Sequence, residues 1–199
     1  DPDIFSVKDF KYNNVVLPDK ESLPYISNGG SKTSATANDN LYIKYKYDAL
    51  SRPTTIQNAL GATTYTYDDW KTAIKDAENN SKDYYNDAYG NLTKVVEYNE
   101  GGSYTTTYQY NGLNNLIKIT DALGNIRNFS YDGLGRRLSS QDLHAASDTT
   151  FGIRTYNYDN ASNLISETDQ NGQIINYGYD KLNRPTLENY TGQNGNEVV

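Results

Sequence analysis

The residues able to do chemistry are few in kind and unevenly spread. The 199-residue chain has one histidine, no cysteine and no methionine. His144 stands between Asp142 and Asp148, an arrangement that would suit a proton shuttle or a metal ligand. One imidazole cannot build a two-histidine zinc site, and no thiolate is available to complete one. No nucleophile-elbow pattern surrounds a serine, so a Ser-His-Asp triad lacks its frame. The expectation is a solvated loop histidine with neither a catalytic nor a metal-binding role.

Carboxylates need a different test, because two suitably spaced Asp or Glu residues would suffice for a glycosidase. Asp48, Asp68, Asp132, Asp159 and Asp180 each follow a tyrosine. A catalytic pair would be expected once, whereas this arrangement recurs along the chain, so these residues read as turn formers. Asp1 and Asp3 and the Asx-rich turns offer oxygen ligands for calcium. No EF-hand loop or calcium-binding nonapeptide accompanies them. Arg52, Arg136 and Arg184 occupy one position of the recurring pattern, where Asn91, Asn115 and Asn163 stand in other copies. They could bind an anionic partner, but are expected to bond turn carbonyls or neighbouring carboxylates. Trp70 could be a sugar-stacking platform and is expected instead to sit against an adjacent tyrosine. No catalytic, cofactor-binding or metal-binding residue is assigned, and no cofactor is expected.

The elements that hold these residues come from a repeat. Aromatic-x-Tyr-Asp recurs as Tyr45–Asp48, Tyr65–Asp68, Phe129–Asp132, Tyr156–Asp159 and Tyr177–Asp180, with degenerate copies at Tyr108–Asn111 and Tyr84–Asp87. The residue before the Asx falls at 47, 67, 86, 110, 131, 158 and 179. A second Asx-x-x-Gly/Asn signature lies between these copies, at Asn58, Asp76, Asp121 and Asp169. Asn58, Asp121, Asp142 and Asp169 each come 11 positions after the tyrosine. Each unit therefore reads strand, turn, strand, turn, with a basic length of 21. The sequence shortens by two residues at Trp70 and lengthens by six between Leu143 and Gly152. A two-residue deletion preserves strand faces, because side chains alternate with period 2. After each Asx come two residues and then Gly, Asn or Ser, so the Asx accepts from backbone two residues on and the last position tolerates positive φ. Ser51 and Ser162 fit that position less comfortably.

Residues 1–40 are read as an irregular N-terminal segment. Phe10–Asn13 is a worn repeat copy, Val15–Leu17 a short strand, and Ser27–Asn40 a loop or linker. Residues 41–199 are read as an array of about seven units. The composition agrees with a thin sheet. There are 20 tyrosines against one tryptophan, apolar residues make up 36%, and the net charge is −7. Tyrosine buries a ring while leaving its hydroxyl wet, so it can line a wall that has no thick aliphatic centre. No apolar run approaches the ~18–20 residues of a membrane helix, and no signal peptide is recognised. The acidic balance argues against a nucleic-acid partner. The start at Asp1 reads as an excised or processed piece.

With Phe129-Ser130-Tyr131-Asp132-Gly133-Leu134-Gly135-Arg136-Arg137-Leu138 and Asp121-Ala122-Leu123-Gly124-Asn125 as its best copies, the array resembles the YD (Rhs) repeat family. The resemblance implies an all-β fold of tandem antiparallel hairpins, forming part of a spiral that curls into a hollow shell. It implies a non-enzymatic role in a large secreted or surface toxin-like protein of bacteria, in which the shell encloses a C-terminal effector. The implied partners are the remaining repeats and the effector region of the same polypeptide. The core segment with its aspartyl autoprotease, known in toxin members, is not recognised here. An adhesin that stacks exposed Tyr and Trp on surface glycans or a receptor is the alternative, and a glycosidase a third. Free edge strands would allow self-association.

Overall fold

The computed structural model describes residues 4–28, 42–192 and 195–198. Among the described residues every regular element is a β-strand. Contacts divide the chain into two compact units, Asp1–Asn86 with Val95–Ser103, and Asp87–Lys94 with Tyr104–Val199.

In the first unit Phe10–Tyr12, Pro18–Ser22, Tyr42–Tyr47, Pro53–Asn58, Gly61–Asp68, Lys71–Lys75 and Ser81–Asn86 pair in order, each antiparallel to the next. Ile4–Val7 and Tyr25–Asn28 form a separate two-stranded ladder. In the second unit the same consecutive pairing runs from Thr107–Tyr110, the end of the strand Gly102–Tyr110, through Leu116–Thr120, Asn125–Tyr131 and Arg137–Gln141. It continues through Ile153–Tyr158, Leu164–Thr168, Ile174–Tyr179, Pro185–Gly192 and Gly195–Val198. The chain is thus all-β and built of tandem antiparallel hairpins, as the repeat predicts. The Gly/Ser-rich stretch read as a linker lies, from residue 29 to 40, outside the described residues. Val15–Leu17 is not a strand. Val15 and Val16 form part of the turn between the first two strands of the meander, with Val16 at φ 63°.

The register explains the repeat length. Six ladders slip by one residue immediately before a tyrosine: at Lys11/Tyr12, Lys46/Tyr47, Gln109/Tyr110, Ser130/Tyr131, Asn157/Tyr158 and Gly178/Tyr179. A bulge puts one extra residue on the return strand and sharpens the local bend. At the short turn the bulge is absent, and Tyr67 pairs with Thr72 and Asp68 with Lys71 in unbroken register. The bulge and one turn residue are lost together, so both faces of the sheet survive the deletion.

The two faces differ in chemistry. One carries Tyr45 opposite Ile56, Tyr65 opposite Ile74 and, in the second unit, Tyr156 opposite Glu167. The other carries Lys44 opposite Gln57, Ser130 opposite Ser139 and Asn176 opposite Asn189. Val96, at 9% exposure, is the most deeply buried apolar side chain among the described residues. Most strand side chains of the described residues are half-buried, so stability rests on the hydrogen-bonded lattice and half-buried rings.

Candidate functional site: the repeat turns and their edge

Ten turns share one backbone geometry. They start at Asn13, Asp48, Asp76, Asp87, Asn111, Asp121, Asp132, Asp159, Asp169 and Asp180. In each, the N–H of the first residue donates to the carbonyl four residues on, and the N–H of the fourth residue donates back to the first carbonyl. The fourth residue has φ between 59° and 85°, whether it is Gly, Asn, Ser or Val16. Each Asx Oδ1 accepts two backbone N–H groups, from residues two and four positions ahead, as Asp132 does from Leu134 and Arg136. These tyrosine-linked turns and second turns are therefore one structure, while the turns at Asn58 and Asp68 differ, closing as two-residue hairpins in which Asn58 pairs with Gly61 and Asp68 with Lys71.

The other carboxylate oxygen takes a side chain. Oδ2 accepts from Nε of Arg52, Arg136 and Arg184, each at 2.7 Å. It accepts from Nδ2 of Asn80, Asn91, Asn125 and Asn163 at 2.9–3.0 Å. Donated hydrogen bonds favour the charged carboxylate. For Asp87 and Asp121 the amide of the Asn four residues on holds the carboxyl below its ordinary value, against desolvation and with help from backbone N–H groups. For Asp48 and Asp180 the backbone N–H of the paired arginine leads the same downward shift. These carboxylates are fixed acceptors and are ionised at neutral pH, the opposite of a general acid poised to give a proton.

Successive turns of the second unit are linked along one edge. Asn91 Nδ2 donates to Asn114 Oδ1 at 3.2 Å, and Asn163 Nδ2 to Asn183 Oδ1 at 2.9 Å. Arg136 Nη1 donates to the carbonyl of Asp159 at 2.9 Å. Asn115 faces Gly135, where a side-chain acceptor is missing, and its Nδ2 is buried without a partner. Tyrosines reinforce the links from the sheet side. The hydroxyl of Tyr67 donates to the carbonyl of Pro53, that of Tyr110 to Leu92 and that of Tyr179 to Leu164. Each acceptor is the first residue of the return strand before it: Pro53–Asn58, Leu92–Asn99 and Leu164–Thr168. Arg52 lies 4.1 Å from the Tyr67 ring centroid and Arg136 4.9 Å from that of Tyr158, so the same guanidinium closes its own turn and covers the next tyrosine.

The remaining singled-out residues are placed apart from one another. His144 is buried, at 8% exposure, rather than solvated. It belongs to the short strand His144–Ala145, which pairs with Ile126 and Asn125. Its ring stacks on Phe151 at 3.8 Å, and its Nδ1 lies 2.7 Å from the carbonyl of Asp142. Asp142 still makes the closing bond of the turn, to Gly152, so the six extra residues sit inside a conserved frame. Gly152 is required there, because a Cβ would fall 2.4 Å from both Asp142 and Gln170. Trp70 is 60% exposed and stacks on no tyrosine ring among the described residues, contrary to expectation. No group of three or more potential metal ligands occurs among the described residues, and Asp1 and Asp3 lie outside them.

Two features escaped the sequence reading. Asp83 is a buried carboxylate on the sheet, bonded to Lys71 at 2.7 Å and to the Tyr98 hydroxyl at 3.0 Å. The third residue of the linked turns is apolar and projects outward: Tyr89, Leu113, Leu134 and Leu182 are 65–81% exposed. Their common offset from the Asx was a readable signal for the second feature.

This geometry defines an antiparallel β-repeat array in which turns and tyrosines serve as joints. The RHS repeat model matches residues 85–126, 110–150 and 158–194, together just over half of the sequence. The chain belongs to the RHS repeat family. Solved structures similar to it include that of TcdB2-TccC3-TEV, at 14% identity and TM-score 0.72, covering 95% of this chain and 11% of that one. The Photorhabdus luminescens Tc holotoxin pore matches at 15% identity and TM-score 0.73, covering 95% and 10%. This chain thus spans about a tenth of the length of those chains and shares their fold. No curated protein matches it in sequence.

Proposed function

We propose that this array is a stretch of wall in a secreted, toxin-like shell that encloses a C-terminal effector region of the same polypeptide, and that it has no enzymatic role of its own. One observation carries this reading: tyrosine hydroxyls of one unit are bonded to backbone carbonyls of the unit before, in a sheet with almost no buried apolar side chain among the described residues. Rings held this way are structural joints. Hydrogen-bonded strands in a continuous wall leave no backbone free to a protease, and closure removes the edges at which foreign strands would pair. The carboxylates of Asp48, Asp132, Asp159 and Asp180 support the same reading, because both oxygens of each accept within their own turns.

The test is limited proteolysis of the polypeptide that carries this array. The region downstream of the repeats should resist cleavage under native conditions and become sensitive only when the array is unfolded. Cleavage as fast as that of the excised region would overturn the reading. Trp70 and Tyr89, at 60% and 81% exposure, favour a second reading as a glycan-binding surface. Binding on a glycan array that disappears in Trp70→Ala or Tyr89→Ala would support it.

A further inference from the structure

We propose that Asn111–Gly112 is a self-modification site, at which the folded turn converts the side-chain amide of Asn111 to a carboxylate with water as the only co-reactant. Among the ten turns of the shared frame, asparagine stands at the head of two, Asn13 and Asn111. Of these, only Asn111 is followed by glycine; Asn13 is followed by Asn14. The Asn111 Oδ1 accepts the N–H of Leu113 at 2.9 Å and that of Asn115 at 3.0 Å. Two fixed donors on one oxygen stabilise the negative charge that gathers there when Cγ is attacked, as an oxyanion hole does. The attacking group is the backbone nitrogen of Gly112. Gly112 is exposed, its N–H is taken by no acceptor among the described residues, and the place of its absent Cβ is open.

The step balances. The Gly112 nitrogen gives its proton to water and bonds to Cγ, and the bond from Cγ to the amide nitrogen breaks. Ammonia leaves and a five-membered imide closes. Water then adds at Cγ, the bond from Cγ to the Gly112 nitrogen breaks, and that nitrogen regains a proton. One water is consumed and one ammonia released, with nothing oxidised or reduced. Opening at the backbone carbonyl instead would lengthen the main chain by one carbon. The frame opposes that outcome, because the Asn111 N–H is fixed to the Asn115 carbonyl at 2.9 Å and the Asn114 N–H to the Asn111 carbonyl at 3.0 Å. The product also fits its surroundings better than the residue it replaces. Asn91 and Asn163 each donate through Nδ2 to the Oδ2 of the aspartate heading their own turn, at 3.0 and 2.9 Å. Asn115 holds the same position, and its buried Nδ2 has no acceptor. A carboxylate at position 111 supplies that acceptor, so the conversion ends in the arrangement that neighbouring turns encode directly.

The test is peptide mapping by mass spectrometry of the full chain, freshly purified and after ageing at mildly alkaline pH. The chain carries its own comparators. Asn13 has the same two donors, from Val15 and Leu17, but no glycine after it. Asn171 precedes a glycine, but the Gly172 N–H is held by the Asp169 carbonyl at 3.0 Å. In the native chain Asn111 should convert at least about tenfold faster than either, with α-linked aspartate as the main product. In urea, where the frame is gone, Asn111 and Asn171 should react alike and give mixed α- and β-linked products. Gly112→Ala should block the conversion, and Asn14→Gly should make Asn13 reactive. Aged wild type should gain stability, with a folding equilibrium constant about fivefold larger, and aged Gly112→Ala should not. A native Asn111 that keeps its amide as long as Asn13 and Asn171 overturns the proposal. So does a main product that is β-linked, or ageing that leaves the urea midpoint of the wild type unmoved or lower.

Discussion

Turns that begin with aspartate and carry Asn or Arg at the fifth position use both carboxylate oxygens. Asn111 has only one to offer. Its Oδ1 accepts the N–H groups of Leu113 and Asn115, which leaves the buried Nδ2 of Asn115 without an acceptor. Asn111→Asp supplies the missing oxygen at the place where the other turns have it, and should raise stability by about 1 kcal/mol in urea unfolding, with the slope unchanged. Val16 is a second local misfit, a β-branched residue held at φ 63°. Val16→Asn matches Asn114 and Asn183 at the same turn position and should add about 1 kcal/mol, because Asn visits this region at lower cost. The pH response follows from the same turns. The carboxyls of Asp87 and Asp121 are held below 3.8 in the folded chain by the Asn amides beside them. Their folded-state values are depressed, so their contribution is complete above the ordinary carboxyl range and is lost as pH falls through the depressed values. An acid titration followed by tyrosine fluorescence should therefore show cooperative unfolding below about pH 4, with a flat response from pH 5 to neutrality.

At the scale of the element, the joint is a tyrosine hydroxyl bonded to the return strand of the unit before, formed with a bulge at Tyr110 and Tyr179 and without one at Tyr67. The Tyr110 hydroxyl lies 3.0 Å from the carbonyl of Leu92. Tyr110→Phe keeps the ring and removes that one bond, and should cost about 1 kcal/mol by chemical denaturation. Tyr110→Ala should cost about 3 kcal/mol or more, because the ring's packing goes as well. Much of this element was legible in the residue spacing. The Asx turns, the equivalence of the two turn types and the face-preserving deletion at Trp70 all follow from period-2 alternation and from the few residue types that tolerate positive φ. The bulges were not legible, because the extra residue changes no residue type and hides inside the 21-residue length. His144 was misjudged for a related reason. The inserted loop folds back and adds His144–Ala145 to the ladder of Asn125 and Ile126, a long-range pairing with no local pattern. Trp70 was misjudged because an indole in a sequence full of tyrosine suggests a stacking partner, while the short turn aims it outward.

At the scale of the whole molecule, each unit depends on its neighbours for its buried surface, so the array should behave as a chain of nearest-neighbour interactions. Excising residues 159–179 joins Tyr158 to Asp180 and restores the aromatic-x-Tyr-Asp junction. The shortened protein should keep its β-type circular dichroism, and its urea slope should fall in proportion to the length removed. Loss of all structure on that excision would show that the array is not modular. The scarcity of buried aliphatic side chains reaches further than mechanics. Even Val96, the most shielded apolar side chain among the described residues, is 9% exposed, while most of the backbone is withdrawn into ladders. Exposing hydrocarbon raises the heat capacity of a chain and exposing peptide groups lowers it. Melting this wall should therefore absorb less extra heat per degree than the ~12–15 cal/mol/K per residue usual for globular domains. Its free energy of unfolding then varies gently with temperature, so an array of this build keeps its strength in the cold as well as in the warm.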